Sequence, residues 1–450
     1  MLSITPYAFL IVLVLLLVLA FSRQPVYGLF AYLLVFYNHP PNRWWGAALP
    51  DLRWSLIVAL IAFAASLRRQ DDFDRMPWYK NWGARILILF TALMWLQTPW
   101  AVDRVSHIEG CILFSKYLVL FFIIYRVISD EKTLVLFSFG HIVGCFIFGW
   151  IAFRDAGAGR FESVGGPGVN DANTLAVHLL TGLIFAGFLF LGCKERKRWL
   201  AFFSIPFILN GIILTVSRGA MLALAAAGLS ALYFSPTALR KSVFISLALA
   251  SVLLLTLGHD QFWQRLQTIF EKNEAGKYEG SAQSRIDLIK YEWDMSKDYP
   301  MGSGHGGHSA LSPEYVPGSM LTGGRRGAHN TFMAVLVEQG FIGAALFVFL
   351  QLWAMTALLR LKKYCNFGLF HTSSYVAAAL GVSFFSFFVA SQFGNYIKVE
   401  VLIWQLGLLA AQTAIYEQRL SEQENLSSLV SDRTAIEDMN IPVLGTLVKK

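Results

Sequence analysis

Two arginines and a histidine stand out in this chain by residue type and setting. Arg218, in TVSRGAML, occupies an almost loopless turn between two apolar runs. Its helical neighbours at three and four positions, Leu214, Thr215, Met221 and Leu222, include no carboxylate to neutralise it. Arg285, in AQSRIDLIKYEW, repeats the pattern, with Ser281, Ala282, Leu288 and Ile289 at those offsets. Taken singly, such an arginine snorkels to lipid phosphates or lies solvated on a surface. Its planar fork also suits the paired oxygens of a phosphate ligand. His329 opens HNTFMAVLVEQGFIG and places an imidazole at the mouth of a long apolar helix. Together the three residues form a set that could stabilise a diphosphate leaving group.

The helix behind His329 must present that ring. At roughly 100° per residue, Gly340 and Gly343 return to within about 40° of the His329 face, which gives one stripe with a histidine at its mouth and two gaps deeper down. Glycines there let a neighbouring helix approach closely in lipid, so both are expected to serve helix packing.

Composition sets the solvent. The chain of 450 residues is 56% hydrophobic and 15% charged, with mean hydropathy +0.52, which is too apolar for a soluble protein and too interrupted for a single anchor. An all-α polytopic membrane protein follows. The net charge of +8 is spread in short clusters between apolar runs, so it reads as topology signal and no nucleic-acid partner is expected. Residues 7–21 resemble a signal-peptide core but lack a basic n-region, and a retained segment is expected. Runs near 7–22, 54–67, 86–102, 110–128, 133–153, 172–192, 199–217, 219–235, 242–258, 329–359, 371–392 and 396–416 give about twelve transmembrane helices. A shorter run at 25–38 reads as a re-entrant or partial segment, and whether it crosses decides the side of the amino terminus.

Lysine and arginine clusters at 68–85, 194–198, 240–241 and 360–363 mark alternate connections as cytoplasmic. The connections around 103–109, 154–171, 217–219, 259–328 and 393–398 then share the other side. The expected organisation is membrane helices over 1–258, a large external loop with short helices over 259–328, membrane helices over 329–416, and a partly disordered cytoplasmic tail over 417–450. Within the loop, Ile286, Ile289 and Trp293 fall along one side of a helix that ends before Pro300, and the following GSGHGG reads as a flexible lip. Asp171 and Asn173 precede a span, where they can cap it or contact sugar hydroxyls.

No metal or other cofactor is expected. Cys111, Cys145, Cys193 and Cys365 show no CxxC spacing, and His305 and His308 lack a third ligand on a regular element. Asp71, Asp72 and Asp74 cluster on the expected cytoplasmic side, and no external loop carries a DxD pair.

The His–Asn, nine residues, Gly, two residues, Gly layout of HNTFMAVLVEQGFIG, placed after a large external loop, resembles the ligase motif of the bacterial O-antigen ligase and polymerase superfamily. The SRG at 217–219 and the SRIDLIKYEW…PMGSG run at 284–304 resemble that family's other recurrent blocks, so the likeness covers about 160–416. Residues 1–60 are also similar to the O-glycosylation ligases associated with exosortase systems. The resemblance implies a glycosyltransferase C-like fold in the bacterial inner membrane with its active site facing the periplasm. It implies metal-independent transfer of an oligo- or polysaccharide from undecaprenyl diphosphate to a hydroxyl on lipid A core, a protein or an exopolysaccharide. Arg218 and Arg285 would bind the donor diphosphate, His329 would orient or deprotonate the acceptor, and Asn330, Asn173 and Asp171 would be candidate glycan or acceptor contacts. A polymerase using the same donor is the alternative, and a lipid-linked glycan transporter the second.

Overall fold

The computed structural model describes residues 4–68, 75–155, 160–162, 164–166, 168–257, 263, 280–365 and 373–438. The Asp71, Asp72 and Asp74 cluster, most of 259–279 and the last residues of the tail lie outside them. Among the described residues the protein is all-helical, with α1 (Thr5–Ser22), α2 (Val26–Tyr37), α3 (Trp54–Leu67), α4 (Trp82–Leu96), α5 (Arg104–Val127), α6 (Glu131–Asp155), α7 (Ala172–Gly192) and α8 (Arg198–Leu214). These are followed by α9 (Arg218–Phe234), α10 (Arg240–Leu257), α11 (Gly280–Asp298), α12 (Gly307–Tyr315), α13 (Thr331–Cys365), α14 (Ser373–Ala390) and α15 (Glu400–Asp438).

Every apolar run overlaps a helix, but the lengths sort them. Six helices among the described residues are long and apolar enough to cross a membrane: α1, α5, α6, α7, α13 and α14. Helices α3, α4, α8 and α9 are apolar but only 10–17 residues long. The run expected over 86–102 leaves its helix after Leu96, and the short 25–38 run folds as the 12-residue α2. At about 1.5 Å per residue, α2 rises roughly 18 Å, less than the hydrocarbon thickness. It packs between α1 and α3, where Gly28 faces Ala20 and Ala62, and ends at Tyr37 in the middle of the bundle. Helix α15 continues through the first part of the expected tail, to Asp438.

Burial places α7 and α14 at the centre, each 78% buried, and α1 at the rim, 22% buried. Several of the connections meet at one end of the bundle. Asn42 Nδ2, in the α2–α3 connection, donates to Gly165 O, Phe161 N donates to Leu214 O at 2.9 Å, and Val102 N donates to Ser303 O at 2.9 Å. All functional candidates lie at this end.

Candidate functional site

The turn that presents Arg218 is under strain. Val216 adopts φ 49°, left-handed backbone that a β-branched residue rarely takes and that costs on the order of 1–3 kcal/mol. Ser217 follows in extended conformation and caps α9 through Ala220 N, while its hydroxyl donates to Asn173 Oδ1 at 2.8 Å. Asn173 also accepts from Arg160 Nη2 at 3.2 Å, and Arg160 Nε donates to Thr215 O at 3.0 Å. The α6–α7 connection is thereby locked around the α8–α9 turn. Arg218 is the first residue of α9, so its charge adds to the positive end of the helix dipole, and an anion there is favoured twice. Asp171 is committed to capping α7, accepting from Asn173 N at 2.9 Å and Thr174 N at 3.1 Å.

Asn330 caps α13 in the same way, through Phe332 N at 2.8 Å and Met333 N at 3.2 Å. Thr331 pins this end to the α14–α15 connection: its hydroxyl donates to Gly394 O and accepts from Tyr396 N. His329 therefore projects from a doubly anchored helix start.

The single stripe expected along this helix does not survive. Gly340 takes φ 68° and ψ −172°, breaking α13 in two, so positions 340 and 343 cannot be counted round from His329 at a helical angle. The cause is the segment 300–304. Ser303 N donates to Val337 O at 3.0 Å, Gly304 N to Glu338 O at 2.9 Å, and Phe341 N to Pro300 O at 3.0 Å. Groups orphaned by the break are thus satisfied by a loop backbone. A Cβ on Gly340 would lie 2.4 Å from Pro300 O, so this glycine admits the loop. Gly343 lies against Gln339 of its own helix, with Leu93 of α4 next nearest.

The GSGHGG stretch is accordingly no flexible lip: Gly302 through His305 are buried. Gln97 Nε2 donates to Met301 O at 2.6 Å and Trp100 Nε1 to Gly302 O at 3.1 Å, clamping the loop from the other side. Its histidines are latches. His305 Nδ1 pairs with Glu338 at 3.1 Å, and His308 Nε2 with Glu292 of α11 at 2.9 Å, all four side chains buried. Gly340→Ala is expected to lower the apparent Tm by a few degrees and open 300–308 to protease, because it adds a clash to backbone only glycine adopts. Wild-type melting and protection would show that the break is not fixed by this contact.

These latches seat α11, which carries Arg285. Its inner face buries Leu288, Glu292 and Met295. Ile286, Ile289 and Trp293 stay exposed, beside the exposed Phe341 and Ile342 of α13, with the Trp293 and Phe341 rings 6.3 Å apart. The exposed stripe continues the outer surface of a helix long enough to cross a membrane.

Arg285 meets the other candidates electrostatically. Burial lowers its guanidinium below the usual range; Arg218, Arg326 and Arg160 push the same way, and Tyr396 opposes them. Burial, then Arg285, Arg326 and His308, push the His329 imidazole down to about 4. Tyr396 is raised above the ordinary phenol by burial and Asp171, with Arg285 and Arg160 opposing. Arg285 is therefore within electrostatic reach of both other sequence candidates, Arg218 and His329. Arg160, Arg326 and Tyr396 join them, though the sequence reading did not single them out. Arg326 Nη2 donates to Ser284 Oγ at 3.2 Å, tying the residue beside Arg285 to the approach of His329. Its Nε is buried without a hydrogen-bond partner in the protein.

Guanidiniums gathered in this way favour an anion among them. Residues 203–348 match the family model described as O-antigen ligase. The matched stretch, about a third of the chain, is similar to O-antigen ligases. It takes in Arg218, Arg285, Arg326 and His329, while Arg160, Asn173 and Tyr396 are supplied from outside it. The family is one of glycosyltransferase-like ligases and polymerases that use lipid-linked glycan donors in a membrane setting. A search of the curated proteins finds no match.

Proposed function

We propose that the protein is a glycan ligase of the bacterial inner membrane. It transfers an oligo- or polysaccharide from undecaprenyl diphosphate to an acceptor hydroxyl on the periplasmic side. The supporting observation is that Arg285 and Arg326 act on His329 while Arg218, Arg326 and Arg160 act on Arg285. In this reading the acceptor oxygen attacks the anomeric carbon, the bond from that carbon to the diphosphate oxygen breaks, and the hydroxyl proton passes to His329. The diphosphate leaves with both electrons of the broken bond, and guanidinium forks offset the charge, so the reacting centre runs without a metal. Because diphosphate is already a good leaving group, orientation of the two substrates supplies much of the rate.

The exposed stripe of α11 suits a helix lying in the outer membrane surface. In this reading Arg285 stands at headgroup level, where the diphosphate of a polyprenyl donor sits. About twelve crossings would result if the shorter helices also traverse the bilayer, with tilt and local thinning absorbing the mismatch.

The test is incubation of the purified protein with a defined undecaprenyl-diphosphate glycan and hydroxyl acceptors. Single transfer to an acceptor that carries no lipid diphosphate supports ligation. A ladder of repeat units on lipid-linked product replaces ligase by polymerase. Movement of the donor across vesicles with no bond made would overturn both in favour of a transporter.

A further inference from the structure

About 9 Å along α7 from its capped end, at a rise of roughly 1.5 Å per residue, lies a second cluster that glycan transfer does not use. Tyr37 ends α2, His141 and Cys145 stand one turn apart on α6, and His178 lies on α7; all four are buried. Ligand atoms of His141, Cys145 and His178 all lie within 4.8 Å of one another. The Tyr37 hydroxyl enters the same space, 2.6 Å from His141 Nδ1, 2.8 Å from His178 Nε2 and 3.5 Å from Cys145 Sγ.

We infer that these four side chains form a binding site for a divalent transition-metal ion of the zinc class, holding α2, α6 and α7 together beneath the arginine cluster. Imidazole and thiolate are the donors zinc takes, and four is its usual number. Charge fits the surroundings too. One thiolate, one phenolate and two neutral imidazoles cancel a divalent cation, so the complex is neutral in an apolar bundle where either charge alone would be costly. Binding releases the thiol and phenol protons to solvent.

The surrounding contacts aim the donors. Thr181 Oγ1 donates its only proton to His178 O at 2.7 Å, so at 2.8 Å from His141 Nε2 it must accept. That fixes the proton of neutral His141 on Nε2 and leaves the lone pair of Nδ1 facing the cluster, the usual outer-shell arrangement for a metal-bound histidine. On α7, a Cβ at Gly182 would fall 2.4 Å from Cys145 Sγ, so the glycine is what lets the helix lie against the thiol. Seating an ion at about 2.0–2.3 Å from each donor asks the phenol to withdraw and the other donors to close in around it. Local spacing hides the set, because its members come from three helices.

The full-length protein in detergent, stripped by chelator and titrated with Co²⁺, reads the site without reference to transfer. Stoichiometric uptake is expected, with a thiolate-to-cobalt charge-transfer band in the near ultraviolet and intense tetrahedral visible bands. Zn²⁺ should displace both and raise the apparent Tm. Cys145→Ser should lose the near-ultraviolet band, and Tyr37→Phe should keep it with weaker affinity. Wild-type protein that takes up no stoichiometric Co²⁺, or takes it up without the thiolate band, overturns the site whatever the variants do. So does a band that survives in a folded Cys145→Ser protein.

Discussion

Arg285→Ala is expected to slow glycan transfer by about two to three orders of magnitude, the usual cost of removing one pre-aimed group that stabilises charge in a transition state. The size follows from where the guanidinium stands. It is partly buried, its helix is locked by the His308–Glu292 pair, and the cations Arg218, Arg326 and Arg160 act on it. A diphosphate arriving there exchanges mutual repulsion among cations for attraction, and leaving-group charge grows as the glycosidic bond breaks. Lysine at 285 keeps the charge but loses the fork, so Arg285→Lys is expected to recover only part of the rate. Arg218→Lys should behave alike, because the helix dipole still favours an anion but the paired contacts are gone. The measurement is initial release of undecaprenyl diphosphate from a defined donor, with extraction yield and melting temperature confirming insertion. The double alanine variant should fall short of the product of the single losses, since the two residues act on one charge. Wild-type rates in both lysine variants would reduce the arginines to positional roles.

How much of this centre is legible in the sequence depends on whether its cause is local. The helices are, because lipid and core demand long apolar runs that no tertiary contact is needed to reveal. The caps are as well: Asp171 and Asn330 stand directly before the helices they cap, and their side chains reach only two or three residues ahead. The break at Gly340 is hidden because the apolar pattern continues on both sides of it. It exists because residues 300–304, far earlier in the chain, supply the missing hydrogen-bond partners. The His305–Glu338 and His308–Glu292 latches are hidden for the same reason, and without them GHGGH looks like a mobile glycine loop. Arg326 did leave a signal, a second arginine three residues before His329, whereas Arg160 was masked by a glycine-rich connection whose fold is set by Asn173 and Thr215. Length also misleads, since α3, α4, α8 and α9 share the apolar composition of the longer helices without their reach.

The acid limb of the pH profile is expected to differ between free and donor-bound protein. In the free protein burial and the cations Arg285 and Arg326 hold His329 at about 4, below the ordinary 6.5, so it is neutral through the physiological range. As a base it must be unprotonated, and kcat/KM should stay level down to about pH 5 and fall as pH drops through about 4. Its depressed pKa also means that stability fully present above pH 6.5 is lost as pH falls from 6.5 through about 4, because the unfolded chain takes up the proton first. Such an imidazole is a weak base in the free protein, which keeps it inert. Donor diphosphate reverses the field by placing negative charge against the same guanidiniums, so the pKa rises on binding and kcat should fall at a higher pH than kcat/KM. Arg326→Gln removes one of the repelling cations and should move the kcat/KM midpoint upward. His329→Ala is expected to cost about two to four orders of magnitude and to erase the acid limb. His329→Gln separates the two roles: glutamine can guide a hydroxyl by hydrogen bonding but cannot take its proton at these pH values. A Gln variant that restores most of the rate, or an alanine variant that transfers normally when properly inserted, would remove proton transfer from His329. An unchanged acid limb in either would assign that titration to another group.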